Sequence, residues 1–208
     1  MPSRVAIRQD LDTITTMVAL AFAADPVWGP ALALPGGSTA NLKAFWRPFV
    51  LGALEHSTVY LAPDDAAVAL WIPPGAEEMS DAVEASLWQF VAETFPPDSE
   101  AAMRELFTRF EVNHPHGRSH AYLSVLATHP DHRGRGIAQQ LLAEQLAEFD
   151  HEGVPAYLES SNPANLHRYE RLGFRPVGEF PVVVDDAVIT TMWRDPAGAD
   201  DGATRKST

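Results

Sequence analysis

The stretch HPDHRGRGIAQQLL (129–142) most constrains this chain: two arginines alternate with two glycines at 133–136, between an apolar run and a helical stripe. The apolar run is AYLSVLAT (121–128), suited to a buried strand. The stripe is Ile137, Leu141, Leu142, Leu146 and Phe149, with Gly153 where a helix C-terminal glycine belongs. A strand that passes through glycines into a helix is built to hold phosphate. Glycine lets the backbone approach closely, and the unbonded N–H groups of the first helical turn point at the anion. The arginines add positive charge that the rest of the chain lacks, since 28 Asp and Glu outnumber 15 Lys and Arg for a net charge of −13.

That acidity argues against nucleic acid or an anionic membrane as the partner, because both need a basic field. It leaves room for an anionic ligand in a local basic pocket. With 208 residues and 46% apolar content, the chain reads as a soluble globular enzyme of one domain over 1–194, with a disordered tail over 195–208. Cysteine is absent, which rules out thiol nucleophiles, disulfides and thiolate metal sites in this sequence. The first residues lack an apolar core of signal-peptide length and no run of about 18 apolar residues occurs, so the expected compartment is the cytoplasm.

Along the chain, VAIRQ (5–9) reads as a first strand and 11–22 as a helix stopped by Asp25-Pro26. GPALALPGG (29–37) reads as a loop, and 38–56 as a helix interrupted near Pro48. Thr58–Ala62 and Ala66–Ile72 form a hairpin around PDD. Two polar-capped helices begin after Ser80 and Ser99, and PAYLES (155–160) is a strand that precedes a short helix closed at Gly173. VVV (182–184) and VITTMW (188–193) flank a turn at Asp185-Asp186. The order is mixed α/β, with strand–helix–strand units in the second half.

Two familiar phosphate motifs fit poorly. A P-loop needs Gly-Lys-Ser/Thr where Ile137-Ala138 stand, and a dinucleotide fingerprint needs a third glycine where Gln139 stands. Arg/Gln-x-x-Gly-x-Gly/Ala does fit at Arg133–Ala138. With VLATHPDHRGRGIAQQLL and PAYLESSNPANLHRYERLGF it resembles the GNAT superfamily of acetyl-CoA-dependent N-acetyltransferases, over Ala121 to Phe174. A looser resemblance, through AFAADP, DDAAVALWIPP and YLESSNPANLHRYERLGF, is to the puromycin N-acetyltransferase group.

The resemblance implies the GNAT fold: a twisted mixed β-sheet of six or seven strands, flanked by helices on both faces. It implies acetyl-CoA as co-substrate, held by the backbone of Leu126, Ala127 and Thr128 and by a diphosphate loop of Arg133, Gly134, Arg135, Gly136, Ile137, Ala138 and Gln139. Asn162 and Asn165 would bond the pantetheine amides, unless they serve as helix caps. Tyr169 would protonate the leaving thiolate, and a phenol titrating near 10 keeps its proton at neutral pH. Glu159, at the end of its strand, is the best single candidate for the general base. His120, His129, His132 and His167 titrate in the right range but are weaker candidates. Tyr60, Trp71, Trp28, Phe45, Trp46 and Trp88 are candidates to wall an acceptor pocket for an apolar or aromatic amine. The histidines lack metal-ligand spacing, so no metal is expected.

The implied reaction is direct transfer of acetyl to a primary amine, of a small antibiotic-like molecule, by a monomer or homodimer. Two rivals stay open: a protein or peptide N-acetyltransferase, and a non-catalytic acyl-CoA-binding sensor.

Overall fold

The computed structural model describes residues 2–34, 40–182 and 187–198. Among the described residues, seven strands form one sheet: β1 (Arg4–Val5), β2 (Val59–Leu61), β3 (Ala67–Ile72), β4 (Ala121–Thr128), β5 (Ala156–Ser160), β6 (Arg175–Pro181) and β7 (Val188–Arg194). Their spatial order is β1-β2-β3-β4-β5-β7-β6, and β4–β5 is the parallel pair in an otherwise antiparallel ladder. The helices are α1 (Leu11–Phe22), α2 (Trp28–Ala31), α3 (Ala40–Glu55), α4 (Asp81–Thr94), α5 (Pro97–Asn113), α6 (Ile137–Glu152) and α7 (Leu166–Glu170).

The alternation of β3 shows how the two layers arise. Val68, Leu70 and Ile72 face one cluster, with Ile14, Val18, Phe45, Phe49, Val91 and Leu106 of α1, α3, α4 and α5. Ala67, Ala69 and Trp71 face the other, with Leu141, Leu142 and Leu146 of α6. Each β3 residue is buried, as a strand covered by helices on both faces requires.

On β4 the alternation reverses partway. Leu70 pairs with Val125 and Trp71 with Leu123, so Ser124 is an extra residue bulged between them. Leu123 and Leu126 consequently belong to the same layer, and Val125 and Ala127 to the opposite one. Pairing of β4 with β5 ends at Leu123 and Leu158, which leaves 124–128 without a strand on that side. The two parallel strands therefore part and open a gap in the middle of the sheet.

Three expectations shift. The first strand is Arg4–Val5, and a 3-10 turn occupies Arg8–Asp10. There the Asp10 carboxylate accepts the Ile7 N–H at 2.8 Å and two Arg4 N–H groups at 2.7 and 2.9 Å, which draws the chain out of extension. Second, a single helical turn opens 29–37, because Asp25 Oδ1 accepts the N–H groups of Val27 and Trp28 at 2.9 and 3.0 Å. Third, RPVGEFP (175–181), with two prolines and a glycine, forms a strand, β6, directly before VVV. Proline is tolerated there because β6 lies at the sheet edge and carries a bulge between Pro176 and Gly178. Val182 lies just past that strand, while 183–184 and the turn at Asp185-Asp186 lie outside the described residues, as do 35–39 and 199–208.

At the head of the tail, Asp195 accepts from Trp193 Nε1 at 2.8 Å and Ala197 N–H donates to Asp150 at 2.7 Å. Arg194 makes two parallel bonds to Asp150 at 2.7 Å and a third from Nε to Leu172 O at 2.8 Å. That fork locks the end of α6 to the turn after α7, where Gly173 sits at φ +90° against the Arg194 side chain. Tyr169 belongs to the same turn, its carbonyl accepting the Leu172 and Phe174 N–H groups at 2.9 and 3.2 Å.

Candidate active site

The gap between β4 and β5 opens into a continuous cleft of about 1630 Å³. This is larger than a single small-molecule site, which runs to about 1,000 Å³. One end is the loop at 133–136. Gly134 and Gly136 adopt φ of +77° and +73°, in the left-handed region that glycine enters without penalty, and a Cβ on either would meet no atom within 4 Å. Gly136 is the residue before α6, and the helix starts there without a side-chain cap. Gln140 N–H is bonded to Gly136 O at 3.0 Å, so the amides of 137–139 precede the first i→i−4 bond and stand ready for an anion. The residues present fit a diphosphate on this count.

The two arginines behave differently from a freely solvated pair. Arg133 Nη2 donates to Ala21 O at the end of α1, 3.1 Å away, and so fastens the loop to the first helix. Arg135 is exposed and does not line the cleft. The cradle is therefore mostly backbone, with Arg133 as its brace.

Leu126 and Thr128 line the middle of the cleft, whereas the Ala127 side chain is in the core and leaves only its backbone for the gap. Ile137, Ala138 and Gln139 border the same space, as do Asn162 and Asn165. Asn162 caps the turn Pro163–Asn165 by accepting Ala164 N–H at 3.0 Å, and Asn165 Oδ1 accepts from Arg168 at 2.8 Å. Tyr169 is partly buried beside them. Burial, and then the charge of Asp25, push its phenol up to about 12, so it carries a proton throughout the neutral range. Ser161 Oγ donates to Asp25 Oδ2 at 2.7 Å, which ties the loop after β5 to the start of α2.

The other end of the cleft is aromatic and acidic. Trp28, Trp46 and Trp88 line it as foreseen, joined by Phe49, Phe107 and Phe110. Trp28 lies parallel to Phe110 at 6.0 Å and edge-on to Trp46 at 5.1 Å, and the Arg104 guanidinium covers Trp88 at 4.4 Å. The remaining foreseen aromatics are elsewhere. Phe45 is completely buried behind this wall, and Trp71 is packed on Phe149 in the opposite layer. Tyr60 also packs on that layer, where the charges of Glu148 and Glu152 reach it, because β2 and β3 residues alternate between faces.

Glu159 lies at the floor with its side chain only 2% exposed, and neither carboxylate oxygen accepts a hydrogen bond. The groups beside it are the Tyr122 and Tyr157 phenols and His114, whose Nδ1 stands 3.5 Å from Oε1. Close by is a second carboxylate that motif reading missed. Glu78, in the stretch after β3 that reads only as punctuation, accepts from the hydroxyl of the bulged Ser124. Burial raises its pKa to about 7; the charge of Glu159 adds to the rise, while Ser124 and His114 oppose it. The signal for Glu78 is tertiary. Gly52 of α3 lets the Glu78 backbone approach so closely that a Cβ there would stand 2.0 Å from Glu78 O.

Of the histidines, His120 is buried and its pKa is lowered chiefly by desolvation. His132 lines the cradle end, and His129 accepts Asp131 N–H at 3.3 Å to cap its own turn. His114, which the sequence reading did not single out, faces Glu159 at 3.5 Å. No cluster of three metal-binding side chains exists among the described residues.

Comparison with known proteins agrees with this geometry. The acetyltransferase (GNAT) family model matches residues 94–174. The L-amino acid N-acyltransferase MnaT of Escherichia coli (strain K12) is 34% identical over 70 residues, 32% of this chain and 41% of that enzyme's own length. Among solved structures, the histone acetyltransferase HPA2 and related acetyltransferase of Corynebacterium glutamicum ATCC 13032 superposes with a TM-score of 0.64 at 25% identity, covering 96% of this chain and 98% of that one. Arylalkylamine N-acetyltransferase 2 of Aedes aegypti has the same fold, with a TM-score of 0.61 at 16% identity over 93% of this chain and 97% of that one. An agmatine N-acetyltransferase superposes with a TM-score of 0.64 at 15% identity, over 93% and 98%. The parted parallel strands and the glycine-lined helix start thus lie within residues 94–174, the segment that the acetyltransferase (GNAT) family model matches.

Proposed function

We propose that the protein transfers the acetyl group of acetyl-CoA to the primary amine of a small molecule. The observation that carries this reading is the single cleft, which joins a diphosphate cradle at one end to an aromatic, carboxylate-floored chamber at the other. The amides of 137–139 and the backbone of Gly134 and Gly136 would hold the diphosphate. The unpaired edge of 126–128 would bind the pantetheine arm and offer an N–H to the acetyl carbonyl, with Asn162 and Asn165 bordering the same arm. A preorganised donor at the position of the developing oxyanion contributes about 3 kcal/mol.

The acceptor enters as an ammonium, drawn to Glu159 and Glu78. Glu159 takes its proton, directly or through water, and the free amine attacks the thioester carbon. The C–N bond forms, the C–S bond breaks, Tyr169 gives its proton to the departing sulfur, and the second proton, shed by the new amide nitrogen, restores the phenol. With no cysteine in the sequence, no acyl-thiol enzyme can form, so attack within a ternary complex is the simplest route. The wall of Trp28, Trp46, Trp88 and Phe110 favours an amine with an apolar or aromatic body, in keeping with the resemblance to the puromycin N-acetyltransferase group. A cytoplasmic monomer or homodimer that needs no metal is part of this reading.

The test is release of free thiol from acetyl-CoA against a panel of arylalkylamines, agmatine, amino acids and short peptides. Release that depends on a small primary amine supports the reading. Release only with peptides would transfer the activity to protein substrates, and tight acetyl-CoA binding with no release for any amine would make the protein a sensor.

A further inference from the structure

The segment between α1 and α2 reads ADPVWGP (24–30), and its local chemistry fixes how Trp28 enters the cleft. Helix is disfavoured at the residue before a proline, so α1 does not run on through Asp25, and the N–H groups beyond it need another acceptor. Asp25 supplies one. Its Oδ1 accepts from Val27 N–H at 2.9 Å and from Trp28 N–H at 3.0 Å, and its backbone carbonyl accepts Gly29 N–H at 2.9 Å. The turn is so close that a Cβ on Gly29 would stand 2.9 Å from Ala23 O. From this turn Trp28 projects onto Phe110, parallel at 6.0 Å, and edge-on to Trp46 and Phe107.

One carboxylate oxygen thus serves the turn. The other reaches a distant part of the chain: Oδ2 accepts the Ser161 hydroxyl at 2.7 Å, 136 residues along the sequence, in the loop that follows Glu159 and precedes Asn162. Asp25 and Ser161 both line the cleft, as does Trp28. The other end of the segment has its own anchor, the bond from Arg133 to Ala21 O at 3.1 Å. What Asp25 adds is a tie between the backbone of Trp28 and the strand end that carries Glu159. Each of its three bonds asks only for an oxygen that accepts, so the tie is a matter of shape. Shape matters here because a ring wall displaced by about 1 Å from the reacting groups misplaces the amine it holds.

We propose that Asp25 is a positioning residue of the acceptor chamber: by clamping the Trp28 turn to Ser161, it holds the aromatic wall in register with Glu159 and so sets a preference for amines that carry a ring. This role rests on the acetyl-transfer reading above. Asp25 acts through Trp28 and takes no part in moving a proton.

The experiment compares full-length wild type with Asp25→Ala, Ser161→Ala and Asp25→Asn, using acetyl-CoA with 2-phenylethylamine or n-butylamine. The readout is the ratio of kcat/KM for the two amines, because a change at Tyr169 or in cofactor binding touches both and cancels. Wild type should favour the ring-bearing amine. In Asp25→Ala that preference should fall by at least about tenfold, the scale of a changed contact in an apolar pocket. Ser161→Ala keeps the bonds to Val27 and Trp28 and should lose part of it. Asp25→Asn should retain it, since the amide oxygen accepts the two N–H groups and the amide nitrogen donates to the Ser161 hydroxyl. No preference in wild type, an unchanged ratio in Ser161→Ala, or Asp25→Asn as impaired as Asp25→Ala would each overturn the proposal. Should Asp25→Ala fail to fold, Ser161→Ala and Asp25→Asn still decide. Fluorine NMR of protein labelled with 5-fluorotryptophan, the Trp28 signal assigned by Trp28→Phe, needs no turnover. Ser161→Ala should shift or broaden the Trp28 signal and leave that of Trp71, in the opposite layer, in place; an unmoved Trp28 signal would overturn the proposal. Wild type that binds acetyl-CoA but acetylates no amine would overturn the underlying reading instead, while the fluorine signals would still report the clamp.

Discussion

Glu78→Gln should make the protein more stable and less active, and pH separates the two effects. The folded state raises the Glu78 pKa from 4.5 to about 7, mostly by burial, so folding favours the protonated form. At about 1.4 kcal/mol per pH unit, that rise corresponds to roughly 3.4 kcal/mol of penalty on the charged form. Partial exposure of the side chain trims this to about 2–3 kcal/mol. Because the folded-state pKa is the higher one, the favourable contribution is fully present below pH 4.5 and is lost as pH rises through 7. Glutamine is neutral at every pH and can still accept from Ser124. At pH 8 Glu78→Gln should therefore raise Tm by about 4–12 °C, at 2–4 °C per kcal/mol for a chain of this size. At pH 4.5 the two proteins should melt together. Thermal melts by circular dichroism at both pH values, with thiol-release kinetics at pH 8, make the measurement. Equal melting temperatures at pH 8, or the same gain at pH 4.5, would refute the reasoning.

Three further substitutions test other parts of the site. Tyr169→Phe should lower kcat by about 10²-fold or more while leaving the acetyl-CoA dissociation constant near its wild-type value, as read by stopped-flow kinetics and calorimetry. Gly136→Ala places a methyl in open space at φ +73°, so the fold should survive with a loss of about 1–2 kcal/mol in a denaturant titration, while acetyl-CoA binding weakens much further. Gly52→Ala drives a Cβ to 2.0 Å from the Glu78 carbonyl, and one backbone must move. It should cost about 1–3 kcal/mol in stability and reduce kcat, with acetyl-CoA affinity retained in calorimetry.

The glycine turn at one end of the cleft was legible in the sequence because its geometry is local. Gly134 and Gly136 are needed where the backbone turns left-handed, and they sit directly before the helix they serve. β4 and α6 have the bounds that hydrophobic periodicity suggests, Ala121–Thr128 and Ile137–Glu152. The acceptor end was not legible, because it is assembled across the fold. Glu78 comes from the segment after β3, His114 from the end of α5, and Ser124 from a bulge that no local pattern announces. The aromatic wall was half visible. Counting tryptophans finds Trp28, Trp46 and Trp88, but only the alternation of β2 and β3 across the sheet sends Tyr60 and Trp71 to the far layer. β6 was hidden by two prolines and a glycine that an interior strand would reject and an edge strand accepts.

The account turns on whether the amides at the start of α6 hold a diphosphate. Calorimetric titration of the wild type with acetyl-CoA, and separately with S-acetylpantetheine, which carries the same thioester arm without the diphosphate, tests this most directly. The account predicts that acetylpantetheine binds at least about 100-fold more weakly, the loss expected when two or more charge-assisted hydrogen bonds are removed. Equal affinity for the two ligands would contradict it.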